Sequence, residues 1–299
     1  MRIPFELVET VAAVIDEGTF EAAAASLHLT PSAVSQRIRR AEDQLGRLLL
    51  VRTKPVQPTE AGAALVRLAR QTALLEHETL LALGADAGVG GSPARIAIAV
   101  NADSLGTWFL APLARVSREH PVTFELYRDD QDFTADLLAD GTVMAAVTSQ
   151  GSPVAGRTVT PLGLMRYAAA ATPEFKNQWF PDGVSAESLA RAPVVDYDRH
   201  DDLQSRWLRA KHADPLAPPR TFVPATNDFA TAVRLGIGWG MLPPFQSREA
   251  FSTGELVPLG GPAITVPLYW QRWNLRSPLL DAVAAEVVTE ARAMLDPVR

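Results

Sequence analysis

Apolar residues recur at helical spacing almost from the start: Phe5, Val8, Val11, Ala12 and Ile15 predict a helix over 4–16. Gly18 stops it, and Thr19 can cap a second helix, Phe20–Leu27. A turn at His28-Leu29 leads to Thr30-Pro31, a strong helix start, because Thr caps the first turn and Pro has no N–H to lose there. The third helix runs from Pro31 to about Leu45 and ends at Gly46. Ala33, Val34, Ile38, Ala41 and Leu45 form its apolar face, leaving Ser32, Ser35, Gln36, Arg39, Arg40 and Asp43 outward. A short helix, a tight turn and a helix with an exposed polar-basic face predict a helix-turn-helix. Residues 48–58 (LLLVRTKPVQP) read as two short strands about a Lys54-Pro55 turn, which makes the unit a winged variant.

Thr59 then caps a long helix reaching about Leu83. Leu65, Leu68, Thr72, Leu75 and Thr79 alternate spacings of three and four, an imperfect coiled-coil seam. The seam either pairs two chains or packs the helix on its own domain; pairing is favoured, since one helix-turn-helix reads only a half-site. Residues 84–94 (GADAGVGGSPA) are small and Gly-rich, a hinge. Beyond it strands (95–100, 122–128, 143–148) alternate with helices (105–120, 133–139). The alternation continues over 163–171, 173–180, 193–197, 201–210, 220–224, 228–235, 237–242 and 264–271, and a long amphipathic helix, 278–295, closes the chain. This predicts an α/β fold with a parallel, doubly wound sheet in two lobes, and a small ligand between them at the C-terminal ends of strands. The expected division is a winged helix-turn-helix (1–58), a dimerising linker helix (59–83), a hinge (84–94) and a two-lobed effector domain (95–299).

Charge changes the picture once it is divided by segment. The 299 residues carry 28 Lys+Arg against 34 Asp+Glu, a net −6, which taken alone argues against a nucleic-acid partner. Residues 37–54, however, hold Arg37, Arg39, Arg40, Arg47, Arg52 and Lys54 against only Glu42 and Asp43. A local basic surface can grip phosphates whatever the whole-chain total. Thr30, Ser32, Ser35 and Gln36, at the start of the third helix, are the candidates for reading base edges of double-stranded DNA. Arg37, Arg39, Arg40, Arg52 and Lys54 supply phosphate or base contacts. Against this, Arg39 and Arg40 could simply pair with neighbouring acids.

The enzyme reading finds little support. Zero cysteines exclude thiol nucleophiles, disulfides and Cys-ligated metal or Fe–S sites. His28, His77, His120, His200 and His212 lack metal-ligand spacing, and no metal or cofactor is expected. H-E-x-x-H, G-x-S-x-G and Walker motifs are absent, and G-I-G-W-G (236–240) reads as a tight turn into a strand. Adjacent acids at Asp129/Asp130 and Asp201/Asp202 read as solvated. No apolar run reaches membrane-span length, the N-terminus is unlike a secretory signal, and cysteine usage is consistent with the cytoplasm.

Residues 18–62 closely resemble the N-terminal signature of LysR-type transcriptional regulators, through G-T-F-E-A-A-A, L-H-L-T, S-A-V-S-Q-R-I-R, E-D-Q-L-G and T-E-A-G. One departure is Pro31, where many members carry Gln; base reading there would pass to Ser32 and Gln36. A narrower likeness lies in N-A-D-S-L-G-T-W-F-L (101–110), D-R-H-D-D-L-Q (198–204) and G-I-G-W-G-M-L-P-P (236–244). These segments are similar to the arginine/lysine-responsive ArgP/LysG/IciA branch. The resemblance implies a winged helix-turn-helix, a dimerising linker helix and an effector domain like a periplasmic binding protein, assembled as a homodimer and typically a homotetramer. It further implies activation of a basic amino acid export gene, acting with RNA polymerase, when lysine or arginine is abundant.

For such an effector the ligand carboxylate needs donors and its cationic groups need carboxylates. Ser104 with the start of the following helix, and Thr148, Ser149 and Gln150 at another strand end, are the candidates for the carboxylate. Asp103, Asp196, Asp198 and Asp228, at strand ends or helix starts, are the candidates for the cation, although Asp103 or Asp228 could be plain N-caps. Trp108, Tyr269, Trp270 and Trp273 could line the cleft but are more often core. Two other readings stay open: a regulator of this fold with an aromatic or keto acid effector, and an architectural or replication-origin DNA binder without a ligand.

Overall fold

The computed structural model describes residues 3–84, 93–128, 134–152 and 156–297. Helices α1 (Phe5–Glu17), α2 (Phe20–Ser26) and α3 (Pro31–Leu45) form the helix-turn-helix. The hydroxyls of Thr19 and Thr30 accept from the N–H groups of Ala22 and Ala33, which fixes where α2 and α3 begin. Strands β1 (Leu50–Val51) and β2 (Gln57–Pro58) pair antiparallel as the wing. The linker helix α4 (Glu60–Ala82) starts at Thr59, whose hydroxyl accepts from Gly62 N–H. Gly62 is dictated by close approach: a Cβ there would lie 2.0 Å from the Leu49 carbonyl oxygen. Leu7, Val11, Val34, Ile38, Leu49 and Val66 close one core beneath these elements.

Of the seam positions, Leu65 is buried in that core, whereas Leu68 and Leu75 remain 43% and 40% exposed. The Thr72 and Thr79 hydroxyls turn back onto the carbonyls of Leu68 and Leu75, at 2.8 and 2.7 Å. Both threonines therefore present methyl groups rather than unsatisfied hydroxyls to whatever faces this stripe. Of the predicted hinge, residues 85–92 lie outside the described residues.

The remainder is α/β. Its first stretch comprises β3 (Ala94–Val100), α5 (Ala102–Thr107), α6 (Leu110–Glu119), β4 (Val122–Arg128), α7 (Thr134–Asp140), β5 (Ala145–Thr148) and β6 (Arg157–Ala171). Then follow α8 (Pro173–Trp179), α9 (Ala186–Arg191), β7 (Val194–Asp196), α10 (Leu203–Ala210), β8 (Arg220–Phe222), α11 (Thr226–Arg234), β9 (Gly240–Leu242) and α12 (Pro244–Thr253). The chain ends with β10 (Val257–Pro258), β11 (Ile264–Trp273) and α13 (Pro278–Met294).

Two expectations are corrected. The sheet is mixed rather than parallel: β3 is parallel to β4 and β5, but β11 runs antiparallel between β5 and β6. Alternation of strands and helices predicts crossovers, yet says nothing of the direction in which a late strand returns. The single helix expected over 105–120 is broken at Trp108-Phe109, where both rings turn into the core and are 1% and 0% exposed. A second pair, β7 and β8, is parallel and belongs to the other lobe, where Phe229, Val233, Leu242 and Ala250 gather in a core of their own. Trp270 and Trp273 are likewise core residues, so the tryptophans do not line the cleft.

Candidate nucleic-acid interface and ligand cleft

The basic surface is built on α3 and the wing. Ser32, Gln36, Arg39, Arg40, Arg52 and Lys54 are exposed, and Ser35 is half-buried between them. Thr30 is exposed too, but its hydroxyl is committed to capping α3 and lies 3.0 Å from the Ser32 hydroxyl. Arg37 departs from the expectation: its guanidinium donates to the Thr10 hydroxyl at 3.3 Å, turning back onto α1 rather than outward. The cause is helical phase, since position 37 sits beside the buried Val34 and Ile38 and not opposite them. Arg40 lies 3.6 Å from Glu6, an exposed pair worth little, so its charge remains available. Arg52 stacks over the Phe20 ring at 5.7 Å, which holds the wing against α2 while leaving the side chain exposed.

A cleft of about 370 Å³ opens between the lobes. One wall is the end of β3 and the start of α5, with Asn101 and Asp103; the other is the 197–206 segment with Thr226, Met241 and Gln246. Asp103 sits deep, accepting from the Tyr167 hydroxyl at 2.5 Å and the Thr226 hydroxyl at 3.4 Å. Burial pushes its carboxyl above the usual carboxylate range, and the two hydrogen bonds only partly offset that. The Asn101 side-chain oxygen is buried here without a protein partner.

The opposite wall is a tight loop that folds on its own carboxylates. Asp198 accepts from the N–H groups of His200 and Asp201, at 2.7 and 3.0 Å. Asp201 accepts from Leu203 N–H at 3.0 Å and Tyr197 N–H at 3.3 Å. Burial raises the Asp201 carboxyl to about 6 against those hydrogen bonds, and the nearby charges of Asp196 and Asp103 add to the rise. The cleft thus gathers four carboxylates, Asp103, Asp198, Asp201 and Asp202, against one guanidinium, Arg206, which lies 3.9 Å from Asp202. Such a site repels anions and favours a cation.

Of the effector residues expected from sequence, Asp103 and Asp198 line this cleft and the others do not. Asp196 is buried behind it and tied to Arg220, which compensates its charge. Asp228 is exposed in the first turn of α11 and lines no wall. Ser104 is fully buried, because α5 begins two residues earlier and turns that position inward. The Thr148 hydroxyl is spent on Gln150 N–H at 3.1 Å, and Ser149 and Gln150 follow it around that turn, away from the cleft lining.

The largest omission is Asp201/Asp202, adjacent acids that sequence alone reads as solvated. Their only signal was membership of D-R-H-D-D-L-Q. Tyr167 and Thr226 reach Asp103 across 64 and 123 residues of sequence and carried no local signal.

Residues 5–63 match the profile of bacterial regulatory helix-turn-helix proteins of the lysR family, and residues 90–292 match the LysR substrate binding domain. The chain belongs to the LysR family. Among its LysR-family relatives, the HTH-type transcriptional regulator LysG of Mycobacterium tuberculosis is 42% identical over 284 residues, 95% of this chain and 92% of that protein. The lysine export transcriptional regulatory protein LysG of Corynebacterium glutamicum is 40% identical over 297 residues, 98% of this chain and 99% of that one. The solved structure of full-length LysG from Corynebacterium glutamicum with bound effector Arg superposes with a TM-score of 0.79 at 38% identity, covering 99% of this chain and 100% of that one. These relatives are regulators of transcription. Among the described residues, no group of side chains could hold a metal ion and no helix is long and apolar enough to cross a membrane.

Proposed function

We propose that this LysR-family regulator senses a basic amino acid, lysine or arginine, and answers by changing its hold on a double-stranded DNA operator that controls export of that amino acid. The observation that carries the reading is the excess of carboxylates in the cleft. Asp103 and Asp201, each raised by burial, regain their usual acidity beside a guanidinium or ammonium. Thr226, at the start of α11, a helix that begins without a side-chain cap, offers the donor end for the ligand carboxylate. That a relative is named for lysine export, and another structure holds arginine, supports the same chemistry.

On the DNA side, Ser32, Ser35 and Gln36 read base edges in the major groove, while Arg39, Arg40, Arg52 and Lys54 contact phosphates. The functional units are residues 1–58, the linker helix 59–83, the hinge 84–94 and the effector domain 95–299. Two chains pair along the exposed Leu68–Leu75 stripe of α4, and pairs assemble into tetramers that meet RNA polymerase in the cytoplasm.

Calorimetry with arginine, lysine, citrulline, phenylalanine and 2-oxoglutarate tests the effector. Arginine and lysine should bind while citrulline, which replaces the guanidinium by a neutral urea, should not. Equal binding of citrulline, or of an aromatic or keto acid, would overturn the reading. No binding by any ligand, with tight operator binding in a band shift, would favour an architectural DNA-binding role.

A further inference from the structure

The linker helix joins the DNA-binding unit to the effector domain, and one of its side chains touches both. Arg70 pairs with Asp16 in the last turn of α1. The same guanidinium donates to the carbonyl of Gly141 at 2.6 Å and to that of Thr142, just beyond the end of α7. One cation thus draws together a carboxylate in the last turn of α1 and the carbonyls just beyond the C-terminal end of α7, groups of negative charge from two different units. Arg67, one turn earlier, donates to the carbonyl of Ala139 in the last turn of α7.

The rest of this junction is sparsely filled. A cavity of about 300 Å³ lies beside Arg70, lined among others by Asp16, His77, Arg95, Glu125 and Met144. Leu74 is the one residue of α4 in the effector-domain core. Glu78 adds a second polar tether, accepting from the Ser277 hydroxyl at 2.6 Å and from Leu279 N–H at 3.1 Å. A junction made by Leu74, the Arg67 stem against Gly141 and a few polar contacts beside a cavity can part at the cost of little apolar surface, because water can replace the lost hydrogen bonds.

We propose that Arg70 is the positioning residue that sets the orientation of the DNA-binding unit on the effector domain, by bridging Asp16 of α1 to the carbonyls that follow α7. Its planar fork of five donors can serve a carboxylate and two carbonyls at once, which a lysine ammonium does over a smaller reach. Removing the bridge leaves the effector domain attached through Glu78, Leu74 and the covalent chain, and frees the DNA-binding unit to adopt other orientations. That unit moves as one body, because α1 shares a core with Leu65, Val66 and Ala69 of α4. The part of this inference that concerns ligand response rests on the proposed amino-acid sensing; the part that concerns orientation does not.

The chain has no cysteine, so spin labels can be placed cleanly at Glu9→Cys on α1 and Glu119→Cys at the end of α6, both exposed. Pulsed electron–electron double resonance is read on the doubly labelled full chain, diluted with excess unlabelled chain so that only distances within a chain are measured. It should give one narrow distance distribution, broadened by Arg70→Ala and by the milder Asp16→Ala, and partly restored by Arg70→Lys. In the unlabelled variants arginine affinity and ligand-free operator affinity should stay within about threefold of the parent, while the arginine-induced change in operator affinity falls to within about twofold of none. The double variant should be no worse than either single one, as expected for residues acting through one bridge. An unchanged distance distribution in both Arg70→Ala and Asp16→Ala overturns the proposal, as does a full arginine response in both. If arginine leaves the parent's operator binding unaltered, the sensing reading fails, and the distance distributions still decide whether Arg70 sets the orientation.

Discussion

Asp201 shows how burial turns a carboxylate into a conditional one. With its carboxyl held at about 6, the ligand-free protein keeps a proton there between about pH 4 and pH 6, where an ordinary carboxylate would have lost it. The stability that this proton confers is fully present below about pH 4 and is lost as the pH rises through about 6. A cationic ligand needs the charged form, so its affinity changes in the opposite sense and grows over the same window. Arginine should bind about fourfold more weakly at pH 5.5 than at 7.5, with Asp201→Asn weaker throughout and flat by calorimetry. A variant that keeps the slope would assign the proton elsewhere, to the buried Asp103 carboxyl for instance. Behind the cleft, Arg220→Ala strands the buried Asp196 carboxylate and should lower stability to urea by about 3 kcal/mol, most of it regained in the double variant with Asp196→Asn.

Helices α1 to α4 were readable because their information is local: caps, helix-ending glycines and an apolar face of period 3.6 within a few residues. Their boundaries agree with expectation to within a residue or so. Helical phase, judged more finely, separates Arg37 from Arg39. Arg39→Ala should weaken operator binding and reduce the slope of log affinity against log salt by about one, the signature of a lost phosphate contact. Arg37→Ala should act mainly by loosening α3 from Thr10, seen as a lower unfolding midpoint with the salt slope unchanged. A lost salt slope in Arg37→Ala would return that residue to the DNA. The effector domain was less legible by element. The break at Trp108-Phe109 and the two-residue strand β10 are decided by which side chains the two lobes demand. Helices α9 and α12 do carry local signals, the Ser185–Ser188 capping box and Pro244 with Gly254 at either end, that the apolar pattern alone does not bring out.

For the whole molecule, the exposed stripe on α4 bears on assembly. Leu68 and Leu75 lie on the surface of a single chain although they belong to a heptad-like repeat in the sequence. Leu75→Glu should shift sedimentation toward the monomer at micromolar concentration and weaken operator binding, while leaving arginine binding intact. A dimer that survives both Leu68→Glu and Leu75→Glu would place pairing on the effector domains. Net charge makes the same point about scale: −6 for the chain conceals a basic face on α3 and the wing and an acidic cleft between the lobes, two surfaces for ligands of opposite sign.

Short-range patterns were enough for the winged helix-turn-helix, the linker helix and the α/β character of the rest, since hydrogen bonds within a helix and a cap's reach span three or four residues. They also carried the family resemblance and the class of partner. The cleft was another matter. Asp103 and Asp198 could be suspected, but which carboxylates face a ligand depended on long-range geometry. β11 returning antiparallel beside β6, Tyr167 and Thr226 meeting Asp103, and Arg220 neutralising Asp196 are contacts between residues far apart in sequence. Burial converts identical aspartates into a paired core charge, a proton-holding cleft acid or a solvated helix-start residue, and burial is a property of the folded chain as a whole.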